Sequence, residues 1–171
     1  MKNYPRIYSL STLGLIHHYE NDYLFHNMRT DFVGDSGSGK SIIADLLQLI
    51  FVGSEMFESA TRTMDEKREL DGLVLRTPHK GIDIGYAFLN IEIQSRHYIV
   101  IGCYLESNSK RTKPFIIQGS SDPKANLLPI GQPLQTKDFK REGNICPLDD
   151  LLSQMEEKGL FLSYWETVNP Y

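Results

Sequence analysis

Gly34-Asp35-Ser36-Gly37-Ser38-Gly39-Lys40-Ser41 is the stretch that decides the fold of this 171-residue chain. It follows the pattern G-x-x-x-x-G-K-S of a phosphate-binding loop, in which glycines let backbone N–H groups approach phosphate oxygens closely. In such a loop the lysine reaches the β- and γ-phosphates, and the hydroxyl after it binds Mg²⁺. The pattern therefore predicts a nucleotide site at residues 34–41, which we call the P-loop.

The sequence on either side of the P-loop has the context that the motif requires. Residues 30–33 form a short strand-like run before it, and residues 41–50 contain no Gly or Pro, which predicts a helix that ends near Gly53. Four apolar residues fall at helical spacing and should face the core: Ile42, Leu46, Leu49 and Ile50. The alternative is a chance match in a Gly/Ser-rich turn, and the Lys-Ser pair, the strand and the helix together argue against it.

The candidate ligands of ATP and Mg²⁺ are the P-loop and the residue that follows it. Lys40 is expected at the β- and γ-phosphates and Ser41 at Mg²⁺, and the N-terminus of the helix adds partial positive charge. The nucleotide-binding set comprises Gly34, Asp35, Ser36, Gly37, Ser38, Gly39, Lys40, Ser41 and Ile42.

Upstream of the P-loop, His17 and His18 invite a metal site. Neighbours on a strand point to opposite faces, and no Cys or carboxylate is spaced to complete a zinc ligand set, so we interpret both as ordinary strand-end residues. Tyr19 or Tyr23 is a candidate for stacking on a nucleotide base, and a packed surface aromatic is the alternative for each.

Composition limits the remaining classes of function. The net charge of −4 gives no global case for nucleic acid, although Arg62, Lys67 and Arg68 form a cluster that is a candidate contact to the DNA backbone. No apolar run reaches the length of about 18 residues that a membrane span needs, so no membrane association is expected. Cys103 and Cys146 lie far apart and are expected to be thiols in a reducing cytoplasm.

After the first helix the chain becomes rich in β-strand signals. Residues 84–93 and 98–106 flank a short polar connection and predict an antiparallel hairpin, with short strands at 73–76 and 115–118. Residues 119–146 are turn-rich, 147–158 predict a helix closed by Gly159, and 161–165 another strand. We expect a single domain, 1–171, in which 1–53 form the core, 73–118 an antiparallel β-layer, and 119–171 a turn-rich segment with a C-terminal helix.

The predicted fold class is α/β with α+β character: a P-loop NTPase with a mixed sheet that includes the antiparallel β-layer, rather than a doubly wound parallel sheet. The loop fits the G-x-S-G-x-G-K-S subtype typical of ABC-type ATPases. The order of elements over residues 5–118 is similar to the N-terminal half of an SMC-like ATPase head, and Asp45 matches an Asp often found in the second turn of that family's helix. The resemblance implies ATP·Mg²⁺ binding between two engaged heads, and work on DNA in repair, chromosome organisation or defence against foreign DNA.

The chain departs from the pattern of this family in the loop and in the catalytic motifs, and these departures limit the activity that is expected of it. Ser36 replaces the usual Asn, and neither the acidic strand nor the Ser-Gly-Gly signature is found. Glu106 is the candidate for a catalytic acid at a strand end, and Gln118, with Gln94 as its competitor, for the family's Mg²⁺-sensing glutamine. The resemblance thus implies half of a split head, which hydrolyses ATP only when a C-terminal half or a partner chain completes it.

Two other classes of function remain open from the sequence. A stand-alone P-loop kinase that phosphorylates a small molecule has a similar loop, although such kinases have mainly parallel sheets. A nucleotide switch without catalysis binds ATP and does not hydrolyse it.

Overall fold

The fold is built on one six-stranded sheet. The computed structural model describes residues 3–27, 29–58, 70–78, 81–109, 111–122 and 126–166. The strands of the sheet are β1 (Arg6–Leu15), β2 (His18–Leu24), β3 (Ile84–Gln94), β4 (His97–Glu106), β5 (Lys113–Gln118) and β8 (Phe161–Tyr164), and they lie in the order β2-β1-β3-β4-β5-β8. A separate two-stranded hairpin comprises β6 (Lys140–Arg141) and β7 (Asn144–Ile145). The fold class is therefore α+β.

The long hairpin at the centre of the sheet is confirmed. β3 and β4 pair in antiparallel register from Ile84 opposite Glu106 to Gln94 opposite His97. Their side chains are mostly β-branched, aliphatic or aromatic, which suits a strand that is buried on both faces. Arg96 adopts a φ of 60° in the tight connection between the two strands.

Successive side chains of β3 and β4 point to opposite faces of the sheet, so both faces carry apolar side chains. One helix covers each face. The helix α1 (Lys40–Val52) packs Ile42, Leu46 and Leu49 on the face that carries Ala87 and Cys103. We call this the α1 face. The helix α2 (Leu148–Glu157) packs on the opposite face, which we call the α2 face, together with the 3₁₀ turn Thr136–Phe139. The buried aromatic side chains of that face are Tyr86, Phe88, Tyr98, Tyr104, Phe115 and Phe139.

Several sequence predictions of local structure are confirmed. α1 ends at Val52, and Gly53, with φ 78°, donates its N–H to the Leu49 carbonyl. Three of the four predicted core positions of α1 are buried, and Ile50 is partly buried. The C-terminal helix and the strand after it also form where the sequence predicts them, and that strand extends the sheet beyond β5.

The prediction of a mixed sheet is confirmed only for its antiparallel layer. Every strand pairing that the described residues make is antiparallel. The predicted strand at 30–33 pairs with no strand in the described part of the chain. The predicted strand at 73–76 is reduced to one bridge between Val74 and Leu15 after the 3₁₀ turn Leu70–Leu73.

Candidate functional site

The P-loop curls where the sequence places its glycines. Gly37 and Gly39 have φ angles of 83° and 89°, in the left-handed region that side chains disfavour. Between them Ser38 donates its N–H to the Asp35 carbonyl at 3.2 Å. Apart from buried Gly39, residues 34–40 are exposed, so the curled main chain is open to solvent.

The helix α1 begins directly from this loop and leaves its first amides uncapped by side chains. Gly39 is the N-cap residue, with no side-chain cap, and the first turn contains no acidic residue. Buried Ile42 and Ile43 fix the start of the helix against the sheet. Because the first N–H groups of a helix have no intrahelical partner and carry partial positive charge, this end of α1 suits an anion.

The Lys40 side chain folds back into the P-loop. Its Nζ donates to the Gly34 carbonyl, to the Asp35 carbonyl at 2.7 Å and to the Ser38 hydroxyl at 3.3 Å. Among the described residues no carboxylate forms an ion pair with Lys40. The loop therefore wraps around an ammonium group whose charge is not neutralised within the described part of the chain.

The nine predicted nucleotide ligands are brought together by local sequence. Asp35 and Ser36 lie on the exposed turn, and half-buried Ser41 is the second residue of α1, next to Lys40. Among the described side chains no cluster of three or more His, Cys, Asp and Glu residues could hold a metal ion. Magnesium at this site would therefore rely on Ser41 and on the phosphate oxygens of a bound nucleotide.

Glu106, the candidate catalytic acid, is not brought to the P-loop. It is the last residue of β4 and accepts a hydrogen bond from the Tyr104 hydroxyl at 3.0 Å on the α2 face, opposite α1. Burial raises the pKa of Tyr104, and the Glu106 carboxylate raises it further, so the phenol stays protonated as the donor. The structure thus gives Glu106 a local partner on the face away from Lys40.

The two candidate glutamines lie at the end of the sheet away from the P-loop. Gln118 is buried at the last position of β5, where its Oε1 accepts the Leu128 N–H at 3.0 Å. This bond holds the segment after β5 against the sheet. Gln94 is the exposed last residue of β3, next to the turn that contains Arg96. Neither side chain contacts Ser41.

One contact to the P-loop was missed by the sequence analysis. His18 is buried at the first position of β2, and its Nε2 lies 2.9 Å from the Gly39 carbonyl oxygen. Its Nδ1 lies 2.7 Å from the Tyr23 hydroxyl, and Tyr23 packs edge-to-face on Phe32. The contact joins residues that are 21 positions apart, so no local sequence signal could have revealed it.

The remaining predicted contacts are Tyr19 and the three basic residues. Tyr19, the alternative base-stacking residue, is an exposed neighbour of His18. Arg62, Lys67 and Arg68, the candidate DNA contacts, lie outside the described residues.

Comparison with protein-family models and with curated proteins finds no match for the chain. The interpretation of the P-loop therefore depends on its sequence pattern and its geometry. Neither described helix has the length and apolar character needed to cross a membrane.

Proposed function

We propose that the chain binds the polyphosphate of ATP, with Mg²⁺, in the P-loop, and that it is the N-terminal half of an SMC-like ATPase head. The single observation that carries the phosphate site is the position of the Lys40 ammonium, held inside the loop by the carbonyls of Gly34 and Asp35. A cation there, beside the uncapped amides of α1, is a suitable environment for phosphate oxygens. Ser41 supplies a hydroxyl oxygen for Mg²⁺.

The segment that leads into the P-loop supports the idea of a half head. Phe32 faces inward and packs edge-to-face on Tyr23 and Phe25, whereas the next side chain, Val33, is 93% exposed. Among the described residues, residues 31–33 pair with no strand. A segment that is packed on one side and makes no strand pairing along its backbone can accept another strand. We propose that a C-terminal half, or a partner chain, supplies that strand.

The positions of the candidate catalytic residues are consistent with a catalytic base that comes from the other half of the head. The Glu106 side chain lies on the α2 face, and Gln118 is bonded to the backbone of Leu128. Under the proposal the general base and the second acidic strand come from the other half, and nucleotide-driven engagement of two heads acts in a DNA-directed process. The antiparallel sheet disfavours the stand-alone kinase, because such kinases have mainly parallel sheets.

Calorimetric titration with ATP and Mg²⁺ tests the phosphate site. Lys40→Ala should weaken binding roughly 10- to 100-fold, since a hydrogen bond to a charged group contributes about 1.5–3 kcal/mol. Lys137→Ala is the matched control, because Lys137 is an exposed lysine on the 3₁₀ turn of the α2 face. ATP and ADP should bind more tightly than AMP, which lacks the β-phosphate. Equal affinities for the two variants, or equal affinities for AMP and ATP, would contradict the site.

A turnover assay separates the proposed half head from its alternatives. The isolated chain should release no phosphate from ATP above background, and it should transfer none to small-molecule acceptors. Transfer to an acceptor by the chain alone would support the kinase instead. Binding that never leads to hydrolysis, even after the complementing half is added, would support the switch.

A further inference from the structure

The turn between β1 and β2 lies directly against the P-loop. His17, with φ 61°, forms the turn, and buried His18 follows it as the first residue of β2. A Cβ atom placed on Gly39 would lie 2.7 Å from His18 Nε2 and 2.8 Å from His17 Cβ. The hairpin and the P-loop are therefore in direct contact, and Gly39 leaves no room for a side chain between them.

The hydrogen bonds of His18 determine which ring nitrogen carries the proton. A carbonyl oxygen can only accept, so the contact between Nε2 and the Gly39 oxygen requires a hydrogen on Nε2. Burial raises the pKa of Tyr23, so its hydroxyl keeps its proton and can donate to Nδ1. Both bonds are satisfied together when the ring is the neutral Nε2–H tautomer.

The Gly39 carbonyl belongs to the same peptide group as the Lys40 N–H. In a planar trans peptide the two groups point in opposite directions. The Gly39 oxygen accepts hydrogen bonds from His18 and, at 3.1 Å, from the Ile42 N–H. With that oxygen held on the side of the hairpin, the Lys40 N–H points away from the hairpin.

We propose that His18 is a positioning residue for the phosphate site: by holding the Gly39 carbonyl through its Nε2–H group, it orients the Lys40 N–H toward a bound phosphate. The inference rests on the proposed phosphate-binding function and adds a residue from the β1–β2 hairpin to it. Tyr23 has a supporting role, because its hydroxyl occupies Nδ1 and leaves Nε2 as the donor.

Two amide substitutions separate this role from simple filling of space. His18→Gln places an amide N–H near the position of Nε2, whereas the shorter His18→Asn places one near Nδ1, out of reach of Gly39. We expect the Gln variant to bind ATP·Mg²⁺ within about threefold of the wild type. The Asn variant should bind about five- to tenfold more weakly, the effect of one lost hydrogen bond. His17→Asn is the matched control, since the left-handed conformation tolerates Asn, and it should stay within about twofold.

Two spectroscopic measurements monitor the positioning itself without nucleotide. The amide resonance of Lys40 in the unliganded protein should shift in the Asn variant and stay close to its wild-type position in the Gln variant. At pH 8 the ¹⁵N spectrum of the wild-type imidazole should show the proton on Nε2 of His18. The second measurement needs no variant, so it tests the inference even where a substitution prevents folding.

The outcomes distinguish the inference from the function on which it rests. Equal weakening by Gln and Asn, or a proton on Nδ1 instead of Nε2, would overturn the positioning role while ATP binding by the wild type stands. No binding of ATP by the wild type would overturn the proposed function, and the inference with it.

Discussion

Substituting alanine at two glycines of the same loop separates backbone strain from steric contact. Gly37 and Gly39 have similar φ angles, 83° and 89°. A Cβ on Gly37 would meet nothing within 4 Å, whereas a Cβ on Gly39 would lie 2.7 Å from the His18 ring. Both substitutions carry the cost of a left-handed conformation, about 1–2 kcal/mol. Only Gly39→Ala also displaces His18 from its hydrogen bonds.

The difference between the two variants follows from that displacement. Losing a buried hydrogen bond costs about 1 kcal/mol, and more when a partner is left unsatisfied. We therefore expect Gly37→Ala to lower the free energy of unfolding by about 1–2 kcal/mol, the cost of the left-handed conformation alone. Gly39→Ala should lower it by about 2–4 kcal/mol, because the lost hydrogen bond of His18 adds to that cost. Urea unfolding curves with equal m-values measure both changes. Equal destabilisation by the two substitutions would refute the contact between the β1–β2 turn and the P-loop.

Three further predictions test the fold around the site. Asn90→Ala removes the side chain that forms hydrogen bonds with both the N–H and the carbonyl of buried Leu134. It should lower the free energy of unfolding by about 2–4 kcal/mol, and a loss below about 0.5 kcal/mol in urea unfolding would contradict these hydrogen bonds. Val33→Ser should change that free energy by less than about 0.5 kcal/mol, because the side chain is 93% exposed, and a loss above about 2 kcal/mol would mean that the isolated chain covers it. Burial raises the pKa of Cys103 from 9.0 to about 12, so the unfolded thiol ionises at lower pH than the folded one. The stability that this thiol contributes is therefore present below pH 9.0 and is lost as the pH rises toward about 12. The free energy of unfolding from urea curves should fall over that range, and an increase would contradict the prediction.

Local sequence patterns were sufficient to predict the elements that depend on near neighbours. Two runs rich in β-strand signals, 84–93 and 98–106, joined by a short polar connection, predict the central hairpin. The spacing of Ile42, Leu46 and Leu49 predicts the buried side of α1. The conformation of the P-loop belongs to the same class, because residues 34–41 are consecutive in sequence and Gly37 and Gly39 adopt backbone angles that only glycine adopts readily.

Features that depend on distant partners were predicted less well. Residues 30–33 have a strand-like composition, yet a strand needs a neighbour, and the described chain offers none to them. A mixed sheet was expected, whereas every strand pairing among the described residues is antiparallel. His18 looked like an ordinary strand-end residue, because its contact with Gly39 exists only once the β1–β2 hairpin folds against the loop.

A residue-resolved titration of backbone amides with ATP and Mg²⁺ tests the central claim most directly. The account predicts that the largest changes in amide chemical shift occur within residues 36–42, and that in Lys40→Ala they require a roughly 10- to 100-fold higher nucleotide concentration. No change at millimolar nucleotide, or changes confined to another part of the sheet, would contradict a phosphate site in this loop.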